Sequence, residues 1–475
     1  MQYRTATWIL LAALITPAAK AAPPLPADLA ARADAYLQAR THMGGFSGAV
    51  LLAQGGRVLF AKGYGYADVE QRLRFTPTTR FEAASISKMF TAMAALKLRD
   101  QAKLKLDDPI CRYLSDCPAA WQAITVQQLI HHSSGIPDYE DRLGMGTQAY
   151  LALMIRPGAT AALYADAKKR PLEFPPGTKY DYSNTGYLVL AQVVQSAAGE
   201  PFARYVTDTL LKPAGMRDSG VLGGKPRPSG LAYGYSFGNV GWNKLLGGFS
   251  LTDGTLKRMP ELALTPPAGD AWLYTDVEDL YRWSRIMDGS ALVPADEARE
   301  VFTPASEGYG DGWIISGRDV ALEYEHSGVL PGYVSDFIKL PASDITLVVL
   351  CNLDRARIHS ITRTLVAMAR GEPYDPPSRG KPVTLEAAAF SRLTGDYRTV
   401  DGETLRVALD EGMLSASLPG HYVAGLIPLS DTRFYMPLAD GEATFMLGPD
   451  GHAHALNLRY DGQDHPAILI IPKPQ

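Results

Sequence analysis

The sequence predicts an α+β chain followed by a second, all-β unit. Three features carry that expectation. The chain has 475 residues, more than one ordinary domain holds. Strand-like apolar runs stand near residues 46–61 and again at 313–350, with helical and loop-rich sequence between them. After a Pro- and Gly-rich stretch at 371–382, the pattern changes to short alternating segments divided by Asp-Gly and Pro-Gly turns. Hydrophobic residues make up 46% and charged residues 20%, which excludes disordered and collagen-like classes.

The first residues read as a leader. Arg4 precedes the apolar run from Trp8 to Ile15, and small residues ending in Ala19-Lys-Ala21 follow. Charge, short apolar core and small-residue site form a secretory signal over residues 1–21, cleaved after Ala21. The run is too short to span a bilayer, which takes about 20 apolar residues. No cysteine stands at the cleavage site to take a lipid. The expectation is a periplasmic or secreted protein of bacterial type, with no membrane insertion after cleavage.

Along the mature chain, Leu29 to Ala39 has helical spacing. Phe46 to Ala53 and Arg57 to Ala61 read as strands joined at Gly55-Gly56. Gly63-Tyr-Gly65 lacks the third glycine and following helix of a dinucleotide site and reads as a turn. Ser85 to Gln101 is helical, with Ile86, Phe90, Met93, Ala94 and Leu96 on one face. Residues 107–260 mix short helices and loops around the apolar helix from Gly186 to Ala198. Strands return at 313–315, 333–340 and 345–350, before a last helix at 358–369. These boundaries give one unit over 22–372, a linker at 373–382, and an antiparallel β-barrel or sandwich over 383–475. Hairpin turns are expected at Asp401-Gly402, Asp450-Gly451 and Asp461-Gly462.

Charge and cysteines exclude several partners. With 46 basic and 50 acidic residues the net charge is −4, without the basic footprint of a nucleic-acid binder. No cysteine–histidine cluster has zinc spacing and no HExxH occurs, so neither metal nor other cofactor is expected. Cys111 and Cys117 lie close enough to close a small loop worth about 2 kcal/mol, or they are two free thiols. Cys351 lies in the apolar run from Leu347 to Asn352 and reads as packing.

Three short motifs carry chemistry. In Ser85-Ile-Ser-Lys88, a serine opens a helix, where it is either an N-cap or a nucleophile beside exposed backbone N–H groups. Lys88, three residues on, shares its helical face and takes the hydroxyl proton if it is neutral. Moving a lysine from about 10.4 to 7 disfavours its charged form by roughly 5 kcal/mol, so that pocket must be dry or cationic. A second S-x-x-K, Ser378 to Lys381, lies in the linker where no helix forms. Tyr182-Ser-Asn184 sits on a tight connection before the Gly186 helix, where it is turn chemistry or a proton relay beside an amide that holds lysine and substrate. His326-Ser-Gly328 precedes a strand. Its glycine admits close backbone approach, and the N–H of Val329 could serve an oxyanion. A second H-x-G, His42-Met-Gly44, precedes the nucleophile and lacks that context.

Taken in order, the three motifs resemble those of the serine β-lactamase and penicillin-binding-protein-like superfamily. The branch most resembled holds class C β-lactamases, D-alanyl-D-alanine carboxypeptidases, esterases and D-aminopeptidases. Supporting stretches are Phe81 to Ala92, Leu129-Ile-His-His-Ser-Ser-Gly-Ile-Pro137, Pro176-Gly-Thr178 and Pro213-Ala-Gly-Met216, and the resemblance covers roughly residues 24–372. His131 and His132 then read as structural, ordering the loop beneath the site.

The resemblance implies an antiparallel sheet flanked by helices, beside a mostly helical insertion, with the site between them. It implies acyl transfer: Ser85 acylated, Lys88 and Tyr182 sharing the proton, and Ser85 and Val329 N–H groups on the oxyanion. Asn184, His326 and Gly328 would bind substrate, and either Lys88 or Tyr182 is the base. One departure bears on substrate. Class C β-lactamases usually carry K-T-G where this chain has His326-Ser-Gly328, so small esters or D-amino-acid-containing peptides and amides are expected ahead of β-lactams. A class C-like β-lactamase and a non-catalytic binding module are the alternatives. Residues 141–172 and 223–258 are expected to shape the pocket, and a C-terminal unit packed near the cleft would restrict it.

Overall fold

A computed structural model describes residues 25–42, 45–144, 147–223, 227–237, 256–289, 292–354, 356–374, 383–410, 413–417, 423–436, 441–460 and 463–470. The expected leader, residues 375–382 of the linker with the second S-x-x-K, most of the 223–258 loop, and the Asp461-Gly462 turn lie outside them. So do Met43 and Gly44 of the second H-x-G.

The main unit is organised by a six-stranded antiparallel sheet. Its strands are β1 (Gly48–Gln54), β2 (Arg57–Tyr64), β3 (Ile314–Ser316), β4 (Glu323–Leu330), β5 (Tyr333–Leu340) and β6 (Ile345–Cys351), in the spatial order β3-β4-β5-β6-β1-β2. The N-terminal hairpin joins the C-terminal meander by pairing β1 with β6 in unbroken register from Gly48–Cys351 to Gln54–Ile345. The intervening chain leaves the sheet after β2 and returns at β3, which is why strand-like sequence brackets the helical region.

Both faces of this sheet are covered, so its central strands read as continuous apolar runs. On one face Val50, Leu52, Ile338, Leu347 and Val349 pack under α1 (Leu29–His42) and α4 (Ile358–Arg370). On the other, Ala49, Leu51, Phe337, Val348 and Leu350 meet the core of the helical insertion, which contains α2 (Ser87–Asp100) and α3 (Asn184–Ala198). Helix α2 is buried nearly all round, Met89, Phe90, Ala94 and Leu96 included, as befits a helix in the middle of a core. Cys111 and Cys117 are joined by a disulfide at the edge of this insertion, and Cys351 is a buried free thiol in β6.

The C-terminal unit is a closed barrel of eight antiparallel strands, from Gly395–Thr399 to Gln463–Leu469, so the sandwich alternative is set aside. Closure leaves no unpaired sheet edge. The interior is filled by side chains including Tyr397, Leu405, Leu414, Leu426, Phe434 and Phe445. Phe434 and Phe445 meet edge to face at 5.5 Å. Buried Tyr435 faces Tyr36 and Arg40 of α1, and a Cβ on Gly45 would lie 2.8 Å from its hydroxyl. Helix α1 covers the sheet face opposite α2. This contact is therefore on the sheet face away from the nucleophile segment.

Candidate active site

Ser85 lies in a 3₁₀ turn, Ala84–Ile86, and the α-helix begins two residues later than the sequence pattern suggests. The N-cap reading of Ser85 fails, because neither the turn nor α2 is capped by a side chain. Ala84, the preceding residue, has φ +52°, a left-handed conformation that costs an L-residue about 1 kcal/mol or more. Its neighbour Ala83 is held on both sides, donating to Leu273 O at 2.9 Å and accepting from Ser335 Oγ at 3.0 Å. The strained turn is thus clamped between the insertion and β5.

One turn on, Lys88 is wholly buried, and its nitrogen has three polar neighbours. They are Ser85 Oγ at 3.0 Å, Asn184 Oδ1 at 2.7 Å and the Asp270 carbonyl at 3.3 Å. The nitrogen also sits 4.9 Å from the Tyr182 ring centre and 5.7 Å from that of Tyr187. A buried lysine needs such partners, since an unpaired charge there is strongly disfavoured. Ser87 and Thr91 on the same helix fix the Asp270 loop. Ser87 Oγ accepts from the N–H groups of Trp272 and Leu273, both at 3.0 Å, and Thr91 Oγ1 donates to Gly269 O at 2.7 Å.

Asn184 is the first residue of α3, which Ser183 caps by accepting from Gly186 N–H. Its amide nitrogen donates to Asp138 Oδ2 and to Glu140 Oε2, each at 3.0 Å, and its backbone N–H donates to Asp138 at 2.7 Å. Tyr139 donates to Asp270 Oδ2 at 2.6 Å and Tyr150 to Glu140 Oε1 at 3.2 Å. Burial raises all three carboxyls, Asp138 to about 6 and Glu140 to about 8, with Asp138 adding to the rise at Glu140. Among the described residues no group of His, Cys, Asp or Glu has the arrangement of a metal site.

The third motif lies on β4. Beyond Glu325 no described strand pairs with its outer edge, and the Ala83–Ala84 backbone lies there instead. A Cβ on Gly328 would come 2.5 Å from both Ala83 O and Ser335 Oγ, so the strand approaches the nucleophile turn only because residue 328 is glycine. The close approach is to the chain's own backbone, where the sequence suggested a ligand. Val329 follows, with its side chain 42% exposed. His326 is buried, and both ring nitrogens are engaged. Nδ1 lies 2.7 Å from the Ser327 carbonyl, which only accepts, so that nitrogen carries the proton. Nε2 therefore accepts from the Tyr309 hydroxyl at 3.1 Å. Burial, reinforced by the Lys88 charge, pushes its pKa down to about 3, and the ring is neutral.

Tyr182 completes the wall. Its ring lies 4.2 Å from that of His132, which accepts from Ser183 N–H through Nδ1 at 3.0 Å. Burial and then Lys88 hold His132 well below its ordinary pKa. His131 bonds Asp311 at 2.8 Å, tying in the loop that carries Tyr309. Both histidines therefore order the loops around the site, as expected. The structure brings Ser85, Lys88, Tyr182, Asn184, His326, Gly328 and Val329 into one region. Sequence reasoning missed Asp138, Glu140, Asp270 and Tyr309. Asp138-Tyr-Glu140 directly follows the Leu129–Pro137 stretch, and Tyr309 lies in the glycine-rich run from Gly308 to Gly312. A Cβ on Gly312 would come 2.7 Å from Met89 Cα, so that run packs against α2. Asp270 carries no local signal.

This ordered constellation agrees with the family comparison, in which the Beta-lactamase family matches residues 33–369. The chain belongs to the Beta-lactamase family. Penicillin-binding protein 4* of Bacillus subtilis (strain 168) is 27% identical over 447 residues, covering 89% of this chain and 95% of that protein. The penicillin-binding protein of Bacillus halodurans is 26% identical with TM-score 0.59, over 70% of this chain and 99% of that one. The octameric penicillin-binding protein homologue of Pyrococcus abyssi shares the fold over 90% of this chain and 97% of its own, with TM-score 0.62 and 24% identity. The D-amino acid amidase of Ochrobactrum anthropi SV3 does so over 73% and 99%, with TM-score 0.60 and 20% identity. As a Beta-lactamase family member, the chain is a serine hydrolase by type, with this fold extended by a barrel.

Proposed function

We propose that this chain is an exported acyl hydrolase that forms an ester on Ser85 and takes small acyl esters or D-amino-acid-containing amides and peptides in preference to β-lactams. The observation that carries the mechanism is the position of Lys88. Asn184 Oδ1 and the Asp270 carbonyl only accept, so they take two of the lysine's hydrogens. The third tetrahedral position points at Ser85 Oγ, 3.0 Å away. In a neutral lysine that position is a lone pair, ready for the serine proton.

Ser85 Oγ then attacks the carbonyl carbon, the proton passes into the Lys88–Tyr182 unit, and the leaving alcohol or amine receives it. Water attacks the acyl ester in the second half and restores the Ser85 hydroxyl. The N–H groups of Ser85 and Val329 serve the oxyanion in this reading. Substrate class follows from the third motif. His326 is neutral with both nitrogens engaged, so it supplies no fixed charge for the carboxylate of a β-lactam. The D-amino acid amidase of Ochrobactrum anthropi SV3, built on the same fold, supports the amide part of this reading.

Intact mass after treatment with a fluorophosphonate should show one adduct on the mature protein, mapping to the Ser85 peptide and absent in Ser85→Ala. Turnover of p-nitrophenyl acetate and a D-alanyl amide should exceed that of a chromogenic cephalosporin in kcat/KM. An adduct elsewhere defeats the mechanism. Cephalosporin turnover that dominates by about a hundredfold, about 2.7 kcal/mol and the scale of a whole pocket contact, defeats the substrate class.

A further inference from the structure

The nucleophile's lysine is aimed by an amide, and the amide is aimed by acids. Both hydrogens of the Asn184 side chain are used, one by Asp138 and one by Glu140, which forces Oδ1 toward Lys88. The flipped amide would set its NH₂ against the lysine and its oxygen against the Asp138 carboxylate. Asp138 has other tasks. It accepts from Glu140 N–H at the start of the Tyr139–Leu143 helix and from Asn184 N–H. Among the described residues the Glu140 side chain bonds only the Asn184 amide and the Tyr150 hydroxyl.

We propose that Glu140 is a positioning residue of the acylation step: it holds Asn184 with its carbonyl oxygen toward Lys88, so that the lysine nitrogen stays on the Ser85 hydroxyl. The proposal rests on the acyl-enzyme reading above and adds to it a group outside the three motifs. Charge follows from the same geometry. The groups facing Lys88 are Tyr182 beside α3, Tyr187 on it, Asp138 and Glu140 from the Tyr139–Leu143 helix, and Asp270 from its loop. His132 and His326 face it too, and both are neutral. Glu140 is neutral at pH 7, because burial and then Asp138 raise it to about 8. Above that pH it becomes an anion behind Lys88 and favours the ammonium form, which cannot accept the serine proton.

The test is the rate of Ser85 acylation by a fluorophosphonate in the full chain, for wild type, Glu140→Gln and Glu140→Ala, across pH. Glutamine mimics the neutral acid. It should keep the pH 7 rate within about threefold, the scale of one hydrogen bond. Alanine frees the amide and should lower the limiting acylation rate by about a hundredfold without weakening probe binding, as a misplacement of about 1 Å does. The ratio of Glu140→Gln to wild type should rise from about pH 7 to about pH 9, since only wild type acquires the charge. A folded Glu140→Ala acylated at the wild-type rate, or a Glu140→Gln as slow as it, overturns the proposal. If the alanine variant does not fold, a ratio that stays flat with pH overturns it. Absence of any label in wild type strikes the acyl-enzyme reading itself, and this inference with it.

Discussion

Around Ser85, a buried lysine, two buried acids, the half-buried Glu140 and two buried neutral histidines crowd a backbone turn with Ala84 at φ +52°. Asp270 Oδ1 and His132 Nε2 are buried there without a hydrogen-bond partner among the described residues. The C-terminal barrel unit also leaves Asn457 Oδ1 and Arg392 Nε without a partner among the described residues, but its core is built the other way. Its interior is apolar, and ion pairs such as Arg406–Asp396 at 3.0 Å and Arg433–Glu442 at 2.7 Å stand at the surface. Such exposed pairs contribute little, about 0 to 1 kcal/mol each. The barrel follows the rules that make a sequence fold, whereas the pocket breaks them where reaction geometry is needed. Stability and rate should therefore separate between the two regions.

The largest effects belong to the pocket. Lys88→Ala and Tyr182→Phe should each lower the rate of Ser85 acylation by roughly 10³-fold or more, and the double variant by little beyond either single one, as for groups that act as a unit. Single-turnover kinetics read this directly. A Lys88→Ala chain that keeps most of its rate would mean that Ser85 uses another base, and the pocket's buried ionic groups would lose their explanation.

The same contrast explains what could be read from sequence. Strands β1 and β6 announced themselves as apolar runs, because both faces of the sheet are covered there, whereas β2, half-exposed at the sheet edge, was legible from its turn at Gly55-Gly56. The barrel was legible as alternation with turns, and Asp401-Gly402 and Asp450-Gly451 fall in turns. Closure was not legible, because pairing of the Gly395–Thr399 strand with Gln463–Leu469 joins segments some 70 residues apart. The motif residues were legible by spacing, since Lys88 follows Ser85 by one helical turn. Asp270 reaches Lys88 through its backbone carbonyl, 182 residues away in sequence, and no local pattern marks such a contact. An exposed histidine, with an ordinary pKa of about 6.5, is already mostly neutral above about pH 7. Burial beside Tyr309 makes His326 neutral for a stronger reason.

Paired substitutions sharpen the comparison at intermediate size. Gly328→Ala adds one carbon where 2.5 Å separates the site from Ala83 O, so the nucleophile turn must shift, and kcat/KM should fall by about a hundredfold. Phe445→Ala removes a buried ring that packs against Phe434 and Tyr397 in the barrel. It should destabilise the barrel by about 3 kcal/mol or more and leave the acylation rate unchanged. A chain ending at residue 374 should likewise keep that rate, because the described barrel contact lies at Gly45 and α1. If Phe445→Ala slowed acylation as much as Gly328→Ala does, the two regions would be coupled and the separation wrong.

The smallest effect concerns pH and melting. In the main unit burial raises Glu140 to about 8, and Glu82, Asp276 and Asp336 to about 7. The folded chain keeps these protons while an unfolded carboxyl, near 4, has released its own. Their contribution to stability is complete below that unfolded value and is lost as pH rises through the folded ones. His132 and His326 act in the opposite sense, but only on the acid side. Below about 6.5 the unfolded chain takes up protons that the folded chain refuses, and above it both states are neutral. Between about pH 6.5 and 8 the carboxyls outweigh the last of the histidine titration, so the main unit should melt a few degrees lower at the higher pH. In the barrel Asp396 is held low by Arg406, so its proton is exchanged far below this pH window. Calorimetry of the full chain at the two pH values should show one transition moving down and a second staying in place. A single transition that moves as a whole would show that the barrel and the catalytic unit melt together, and would end their treatment as separable in stability.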